Sequence, residues 1–160
     1  MTEPSSTLLH YEDFPVGEVA EFGAYKVTRE EILEFATEYD PLPFHTDEEA
    51  AFASMAGGLI ASGWHVCSMQ MRMIYDGLLY NAASMGSFGL ESVSWKKPVR
   101  PGDVLSCRRT TLSKRVSKSK PAMGIIEVRW EIFNQDGELK SITEGSQLMV
   151  VRNPVQGAAQ

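Results

Sequence analysis

The segment Leu59-Ile-Ala-Ser-Gly-Trp-His-Val-Cys-Ser-Met-Gln-Met-Arg-Met-Ile-Tyr-Asp-Gly-Leu78 makes up most of the longest apolar-rich stretch of the chain, around residues 59–80. Its apolar residues recur every three or four positions, as on one face of a helix: Ile60, Trp64, Cys67, Met71, Ile74 and Leu78. Further apolar side chains widen this face: Val66, Met69 and Met73. Only a narrow polar stripe, which includes His65 and Arg72, is left, so we predict a long helix surrounded by protein on most sides. The same polar residues make the segment too polar to cross a bilayer.

A sheet wrapped around this helix is its simplest partner, and the second half of the chain supplies most of the strands. We predict strands over residues 19–27, 88–97, 104–115 and 138–151. The clearest strand has apolar residues that alternate with charged ones: Ile126, Val128, Trp130 and Ile132. Short strands joined by hairpins favour an antiparallel sheet, so the pattern predicts an α+β fold with one long helix against that sheet.

Chain length and charge limit the classes of protein to which this sequence can belong. A chain of 160 residues is long enough for one domain with a substantial core. Its formal net charge of −6 argues against binding to nucleic acid or to an anionic membrane surface. Residues 1–10 contain no apolar segment typical of a signal peptide. We predict a single domain over residues 11–152, with a disordered N-terminal tail over residues 1–10 and a C-terminal tail over residues 153–160.

Cys67 and Cys107 are the only cysteines of the chain. Two cysteines are too few for a disulfide framework, and these two lack the spacing of metal ligands. We therefore expect a reduced, cytoplasmic setting and no metal site.

The segment Asp40-Pro-Leu-Pro-Phe-His45 carries an acid and an imidazole on a backbone stiffened by two prolines. Because proline disfavours helix at the preceding residue, Asp40 should end the helix that begins at the capping box Thr28–Glu31. A second capping box, which starts at Thr46, predicts a short helix directly after His45. The stiff segment can aim both side chains at one point. Taken alone, the pair also fits an ordinary turn beside a helix cap.

Three motifs follow one another along the chain: Phe35-Ala-x-x-x-Asp40-x-x-Pro43-x-His45-x-Asp47-x-x-x-Ala51, then Gly57-Gly-x-Ile60-Ala-Ser-Gly63, then Pro98-Val-x-Pro-Gly-Asp103. In this order and spacing they resemble the MaoC-like dehydratases, a family that includes the (R)-specific enoyl-CoA hydratases. The resemblance covers about residues 11–152. Two positions depart from the family pattern, because Leu42 stands where the family usually has Asn and Ser62 where it usually has His.

The resemblance implies the hot-dog fold, in which a long central helix is wrapped by a curved antiparallel sheet, and it implies a homodimer. It also implies hydration of a trans-2-enoyl-CoA, or another enoyl thioester, to a 3-hydroxyacyl thioester, or the reverse dehydration. No cofactor is implied, since coenzyme A enters as part of the substrate.

Asp40 and His45 are the candidate catalytic pair. Hydration requires a water aimed at C3 of the enoyl group and a proton delivered to C2. The two side chains can hold that water between them, and His has an unperturbed pKa near neutrality. Which of the two acts as the base is left open.

Gly63 is the third candidate catalytic residue. It lies at the start of the long helix, where backbone N–H groups have no partner within the helix and the helix dipole is positive. By analogy with the family, its N–H can bind the thioester oxygen. The alternative is that Gly63 is only a small residue where helix and sheet touch. We expect its neighbours Ser62 and Trp64 to contact substrate, with Ser62 as a helix cap or a supporting donor.

A basic cluster near the end of the third predicted strand is a candidate for binding the phosphates of coenzyme A or the phosphopantetheine arm of an acyl carrier protein. It consists of Lys114, Arg115, Lys118 and Lys120. The alternative is a solvated hairpin.

Two other functions are compatible with the sequence. A hot-dog acyl-CoA thioesterase would also use a carboxylate and a helix N-terminus, but would attack the carbonyl carbon. A non-catalytic subunit that binds acyl thioesters would explain the substitutions at Leu42 and Ser62. Proximity of Asp40 and His45 favours hydration.

Overall fold

The structure is a computed structural model and describes residues 7–155. Within this range the helices are α1 (Arg29–Tyr39), α2 (Pro43–Thr46), α3 (Glu48–Ala53) and α4 (Gly63–Gly77). The strands are β1 (Val19–Lys26), β2 (Ser84–Gly86), β3 (Leu90–Trp95), β4 (Val104–Val116), β5 (Met123–Phe133) and β6 (Leu139–Val150). Short 3-10 turns cover Tyr11–Asp13 and Leu79–Asn81.

All six strands form one antiparallel sheet in the order β1-β4-β5-β6-β2, and β3 also pairs with β6. β2 and β3 occupy successive stretches of the same edge, since Ser84 pairs with Met149 and Leu90 pairs with Gly145. The predicted strand over residues 88–97 is therefore shorter, and a separate strand precedes it. Gly86 and Gly89 have φ values of 97° and 132°, which interrupt the extended backbone between the two strands.

α4 packs one face against the sheet. Its buried residues are His65, Val66, Met69, Gln70, Met73 and Ile74. The close fit requires Gly77, where a Cβ would lie 2.4 Å from the Phe22 ring of β1. The apolar core between helix and sheet continues with buried residues of the central strands: Leu105, Cys107, Ile126, Val128, Trp130 and Ile132.

The expectation that α4 is surrounded on most sides is wrong for the single chain. Trp64, Met71 and Tyr75 are 61%, 49% and 50% exposed. The reason is geometric, because the sheet covers only one side of the helix and these residues lie on another. His65, predicted in the polar stripe, is instead buried.

The ends of the domain differ slightly from the predicted bounds. Leu9 forms a parallel bridge with Ala82, so the ordered chain begins before residue 11. Residues 153–155 form no helix or strand. The remaining parts of the predicted tails, residues 1–6 and 156–160, lie outside the described residues. No helix among residues 7–155 has the length and apolar character needed to cross a membrane.

Candidate active site

The Asp40 carboxylate and the His45 imidazole face each other across 3.4 Å, measured from Oδ2 to Nε2. Asp40 is the residue that ends α1, and its backbone N–H donates to the Ala36 carbonyl oxygen. The His45 side chain is 6% exposed and the Asp40 side chain 23%. Thus the imidazole is held inside the protein while the carboxylate remains open to a ligand or to water.

A hydrogen bond on the far side of the ring sets the tautomer of His45. Nδ1 lies 2.7 Å from the carbonyl oxygen of Ile60. A carbonyl oxygen can only accept, so Nδ1 carries the proton. In the neutral form of the ring, Nε2 is therefore unprotonated and faces Asp40. This nitrogen can take a proton from a water placed beside the carboxylate.

The local helices around His45 differ from the prediction in one respect. Pro43 occupies the first turn of α2, a position that suits its fixed φ and missing N–H. Thr46 belongs to the same turn, and its hydroxyl donates to the Leu42 carbonyl oxygen. The cap of α3 is consequently Asp47, which accepts the Ala50 N–H at 2.8 Å, rather than Thr46. His45 thus lies within a one-turn helix and not just before one.

Asp40 and His45 line a cavity of about 360 Å³. Its other walls come from the start of α4, the end of β3 and the loop that follows β3: Ile60, Ala61, Gly63, Trp64, Val66, Trp95, Lys96, Lys97, Pro98 and Val99. The fold therefore brings together the three predicted catalytic residues and Trp64. Ser62 does not line this cavity.

Ser62 caps α4, and its hydroxyl accepts the Trp64 N–H at 3.3 Å. Gly63 is the first residue of the helix, so its own N–H belongs to the group that has no partner within a helix. Trp95 packs directly against it, because a Cβ on Gly63 would lie 2.4 Å from the indole ring. Gly63 is therefore a small residue at a close contact between helix and sheet, and it also lines the cavity.

Asp103, the last residue of the third motif, holds the loop that forms one wall of the cavity. Its carboxylate accepts the Arg100 N–H at 2.9 Å and the Asn134 side-chain amide at 3.1 Å, and lies 3.5 Å from Lys140 Nζ. Burial would raise the pKa of Asp103, but these donors outweigh it and hold the pKa below its usual value. The loop in turn binds the segment just before α4, since the Val99 carbonyl oxygen accepts the Ala61 N–H at 2.9 Å.

Glu31 and His65 form a second pair of an acid and an imidazole, which the sequence analysis missed. His65 Nε2 lies 3.6 Å from Glu31 Oε1, between α1 and α4. His65 also stacks on Phe35, with ring centroids 4.7 Å apart. Burial lowers the pKa of His65 and raises that of Glu31, so both groups favour the neutral form. The pair can be recognised only when α1 and α4 are both placed in the fold, because each helix contributes one of the two residues. Their contact ties the helix that ends at Asp40 to the helix that begins at Gly63.

The predicted basic cluster does not line the cavity. Lys114 and Arg115 lie at the far end of β4 from Asp103, and Lys118 and Lys120 follow in the next loop. Lys114 contacts Tyr11 instead, through the backbone carbonyl and the ring. The sequence shows a cluster of positive charge near one end of β4. It does not show that the cavity lies near the other end of that strand.

Lys96 and Lys97 are the basic residues that do line the cavity. Lys97 donates to Glu138 at 2.7 Å, so its charge is partly compensated. Lys96 has no salt bridge among residues 7–155 and is exposed. Among those residues there is also no group of three or more His, Cys, Asp or Glu side chains arranged to hold a metal ion.

Comparison with known proteins identifies the class of this fold and site. Residues 13–129 match the family model described as the MaoC like domain. The structure of a MaoC-like dehydratase from Rhodospirillum rubrum is similar, with 36% identity and a TM-score of 0.81 over 91% of this chain and 99% of that one. The hot-dog α+β fold expected from the sequence is thereby confirmed.

The chain belongs to the MaoC-like dehydratase family. A curated Bacillus subtilis (strain 168) protein, the uncharacterized protein YdeM, is 28% identical over 124 residues, which are 78% of this chain and 86% of YdeM. The (R)-hydratase from A. caviae involved in PHA biosynthesis shares the fold, with 23% identity and a TM-score of 0.68 over 88% of this chain and 99% of that one. Membership of the family supports a hydratase or dehydratase activity in general.

Proposed function

We propose that the protein hydrates a trans-2-enoyl thioester to a 3-hydroxyacyl thioester, and catalyses the reverse dehydration. The observation that carries this proposal is the pairing of Asp40 and His45 across 3.4 Å in a cavity that also contains the N-terminus of α4. Both reacting carbons of an enoyl thioester lie within a few bonds of the thioester oxygen. A single small cavity can therefore hold C2, C3 and the thioester oxygen.

The Asp40–His45 pair activates water. A water bound on the cavity side of both side chains donates one hydrogen to the Asp40 carboxylate and the other to His45 Nε2. As the water oxygen bonds to C3, Nε2 takes the second proton, and the electron pair of the C2–C3 double bond shifts toward the carbonyl group to give an enolate with its charge on the thioester oxygen. The protonated pair then returns one proton to C2 on the same face. Water is thus added in full, and the side chains regain their starting protonation. Positioned acid–base catalysis of this kind contributes about 10²–10⁴-fold.

Gly63 binds the thioester oxygen as it gains enolate character. Its backbone N–H lies in the first turn of α4, where the helix dipole favours negative charge. A donor in this role is typically worth about 10²–10³-fold in rate.

A homodimer is part of this proposal. β3 is an edge strand, with β6 as its only partner among the described residues. Large apolar side chains are exposed on it and on the adjacent face of α4: Trp64, Met71, Leu90 and Trp95. An unpaired edge beside an exposed apolar surface favours pairing with a second copy of the chain. Sedimentation should give twice the chain mass of 17.7 kDa.

The experiment follows hydration of crotonyl-CoA by the loss of enoyl-thioester absorbance, with a thiol reagent in a parallel cuvette. Asp40→Asn and His45→Gln should each lower kcat/KM by about 10²-fold or more, with unchanged thermal unfolding. Asp47→Asn is the matched control, because Asp47 caps α3 outside the cavity and Asn caps equally well.

Absorbance loss without thiol release supports hydration. Release of thiol would instead identify a thioesterase. Full activity of Asp40→Asn and His45→Gln would reject the assigned residues. If short, long and branched enoyl-CoAs all bind to a folded wild-type dimer without turnover, the protein is a binding subunit and not an enzyme.

A further inference from the structure

Glu31 and His65 are titratable groups with little exposure that the proposed mechanism does not use. The His65 side chain is 7% exposed and the Glu31 side chain 26%, and His65 Nε2 lies 3.6 Å from Glu31 Oε1. Neither residue lines the cavity of Asp40 and His45. Any role in the candidate site must therefore act through α1 and α4, the helices that carry the two residues.

Glu31 lies where three elements of the fold meet. Its Oε2 accepts the Thr28 hydroxyl at 3.3 Å, at the start of α1, and the Tyr25 hydroxyl at 3.4 Å, from β1. Its Oε1 is buried without a hydrogen bond among the described residues, and the His65 imidazole of α4 faces it. Burying a carboxylate oxygen costs free energy, which a facing polar group reduces. The carboxylate thus favours one placement of α4 relative to α1 and β1.

The His65 ring also connects α4 to Asp40 through a row of aromatic rings. It stacks on Phe35 of α1, with centroids 4.7 Å apart and ring planes 9° apart. Phe35 in turn contacts Tyr39, with centroids 5.0 Å apart. Tyr39 is the last residue of α1, and Asp40 follows it directly. A shift of the His65 ring would therefore reach the residue before the candidate catalytic carboxylate.

His45 is attached to the other helix of this contact. Its Nδ1 lies 2.7 Å from the carbonyl oxygen of Ile60, three residues before α4 begins at Gly63. Asp40 instead follows α1. The distance of 3.4 Å between the Asp40 carboxylate and the His45 ring therefore depends on how α1 and α4 are placed against each other.

Within residues 7–155, the Glu31–His65 contact is the only ion pair or side-chain hydrogen bond that joins α1 to α4. Burial of apolar side chains is non-directional, whereas the energy of a polar pair depends on the distance and direction between its groups. A misplacement of about 1 Å at a catalytic site can cost about 10²-fold in rate. The polar contact is therefore suited to fix the separation that the site needs.

We propose that Glu31 and His65 are positioning residues, which hold Asp40 at the end of α1 at a fixed place relative to the start of α4. This inference rests on the proposed function, because that function requires the acid–base pair and the helix N-terminus to reach one thioester. Neither residue contacts the substrate, and neither transfers a proton in the reaction.

Two substitutions remove the contact, one from each side. Glu31→Ala removes the carboxylate, while His65→Phe keeps a ring that can stack on Phe35 and removes both nitrogens. In hydration of crotonyl-CoA each should lower kcat by at least about tenfold and leave KM within about twofold, because alignment is disturbed and the groups that bind substrate are unchanged. The double variant should lose little more than either single variant, since both remove the same contact.

Two further variants separate positioning from stability. Glu30→Ala is the matched control, because Glu30 is an exposed carboxylate in the same turn of α1, and it should keep the wild-type kcat. Glu31→Gln should recover most of the loss, since an amide can donate to His65 Nε2 or accept from it. All assays are run well below the thermal unfolding midpoint of each variant, where a purely stabilising contact would leave kcat unchanged.

A nuclear magnetic resonance measurement tests the positioning without any turnover. The chain has three histidines, so His10→Gln and His65→Phe are enough to assign the imidazole ¹⁵N and ¹H signals of His45. These signals depend on the Asp40 carboxylate beside the ring. They should shift in His65→Phe and in Glu31→Ala, and stay at the wild-type values in Glu30→Ala.

Unchanged His45 signals in both His65→Phe and Glu31→Ala would overturn the inference, as would a kcat within about twofold of wild type in both. If the wild-type protein turns over no enoyl-CoA, the proposed function fails, and the signals alone decide whether the pair positions Asp40. If crotonyl-CoA is hydrated equally well by all variants, the hydratase stands and the positioning role is rejected.

Discussion

Trp95 donates its indole N–H to the Gly63 carbonyl oxygen at 3.1 Å, and its ring occupies the space that a side chain at Gly63 would need. The last residue of β3 thus fixes the first residue of α4. Because both residues line the cavity, the position of the helix N-terminus depends on this contact.

Gly63→Ala should lower the activity by at least about tenfold, because its Cβ would meet the Trp95 ring at 2.4 Å and displace the helix start. Alanine keeps the backbone N–H, so the loss would come from position and not from a missing donor. Adding Trp95→Leu to Gly63→Ala makes room for the Cβ and should recover part of the lost kcat/KM. Full activity of Gly63→Ala alone would show that the contact is not limiting.

Asp103→Ala should lower the free energy of unfolding by about 3 kcal/mol or more, since it leaves the buried Lys140 without its carboxylate. Urea unfolding measures this change. The control is Asp136→Ala in the exposed turn nearby, which should stay within about 0.5 kcal/mol of the wild-type protein. A similarly small effect at Asp103 would contradict its role as the anchor of the cavity loop.

Low pH should remove the contribution of Asp103 to the free energy of unfolding. Its pKa in the folded chain lies below the ordinary value of 3.8, so ionised Asp103 stabilises the fold above that pH. As pH falls through the lowered pKa, the stabilisation is lost. The difference in unfolding free energy between wild type and Asp103→Asn should therefore be present at pH 6 and shrink at low pH.

His65 should make the protein less stable as the pH falls below about 6.5. Burial lowers the pKa of His65 below 6.5 in the folded chain. In this pH range the unfolded chain therefore binds more protons than the folded chain, and this proton binding stabilises the unfolded state. Glu31 has the opposite sign, since its raised pKa lets the folded chain take up a proton first, but this acts nearer pH 4.5. Between about pH 7.5 and 5.5, His65→Gln should lose less stability than the wild-type protein. If the stability of the wild-type protein and that of His65→Gln fall by the same amount over this pH range, His65 does not have this role.

Lys96 should assist binding of the coenzyme A phosphates. Lys96→Ala should raise the KM for crotonyl-CoA about two- to fivefold, as expected for an exposed ionic contact, and added salt should reduce the difference. The control variant Lys118→Ala/Lys120→Ala changes charge away from the cavity. If this control raises KM while Lys96→Ala does not, the basic cluster at the end of β4 is the phosphate site after all.

Local signals predicted much of the backbone structure around the candidate site. Proline after Asp40 ends α1 as expected, and Thr28 caps that helix by accepting the Glu31 N–H at 3.2 Å. The error at Thr46 has a local cause too. Pro43 can start a helical turn, and that turn uses Thr46 and leaves the cap to Asp47.

The sequence pattern did not predict contacts between residues that lie far apart along the chain. Nothing in the spacing of Glu31 and His65 indicates that α1 and α4 place them 3.6 Å apart. The choice between Lys96 and the basic cluster likewise depends on which end of a strand meets the cavity. Apolar periodicity identified α4, but it did not show which part of its wide apolar face the sheet covers.

Two short pieces of backbone carry the three candidate catalytic residues. The Ile60 carbonyl orients the His45 ring, and three residues later Gly63 begins α4. A protein engineer who wishes to move this chemistry to another scaffold therefore needs to reproduce the spacing of residues 40–45 and 60–63, with a helix starting at the second piece and an aromatic ring packed against its first residue, as Trp95 packs here.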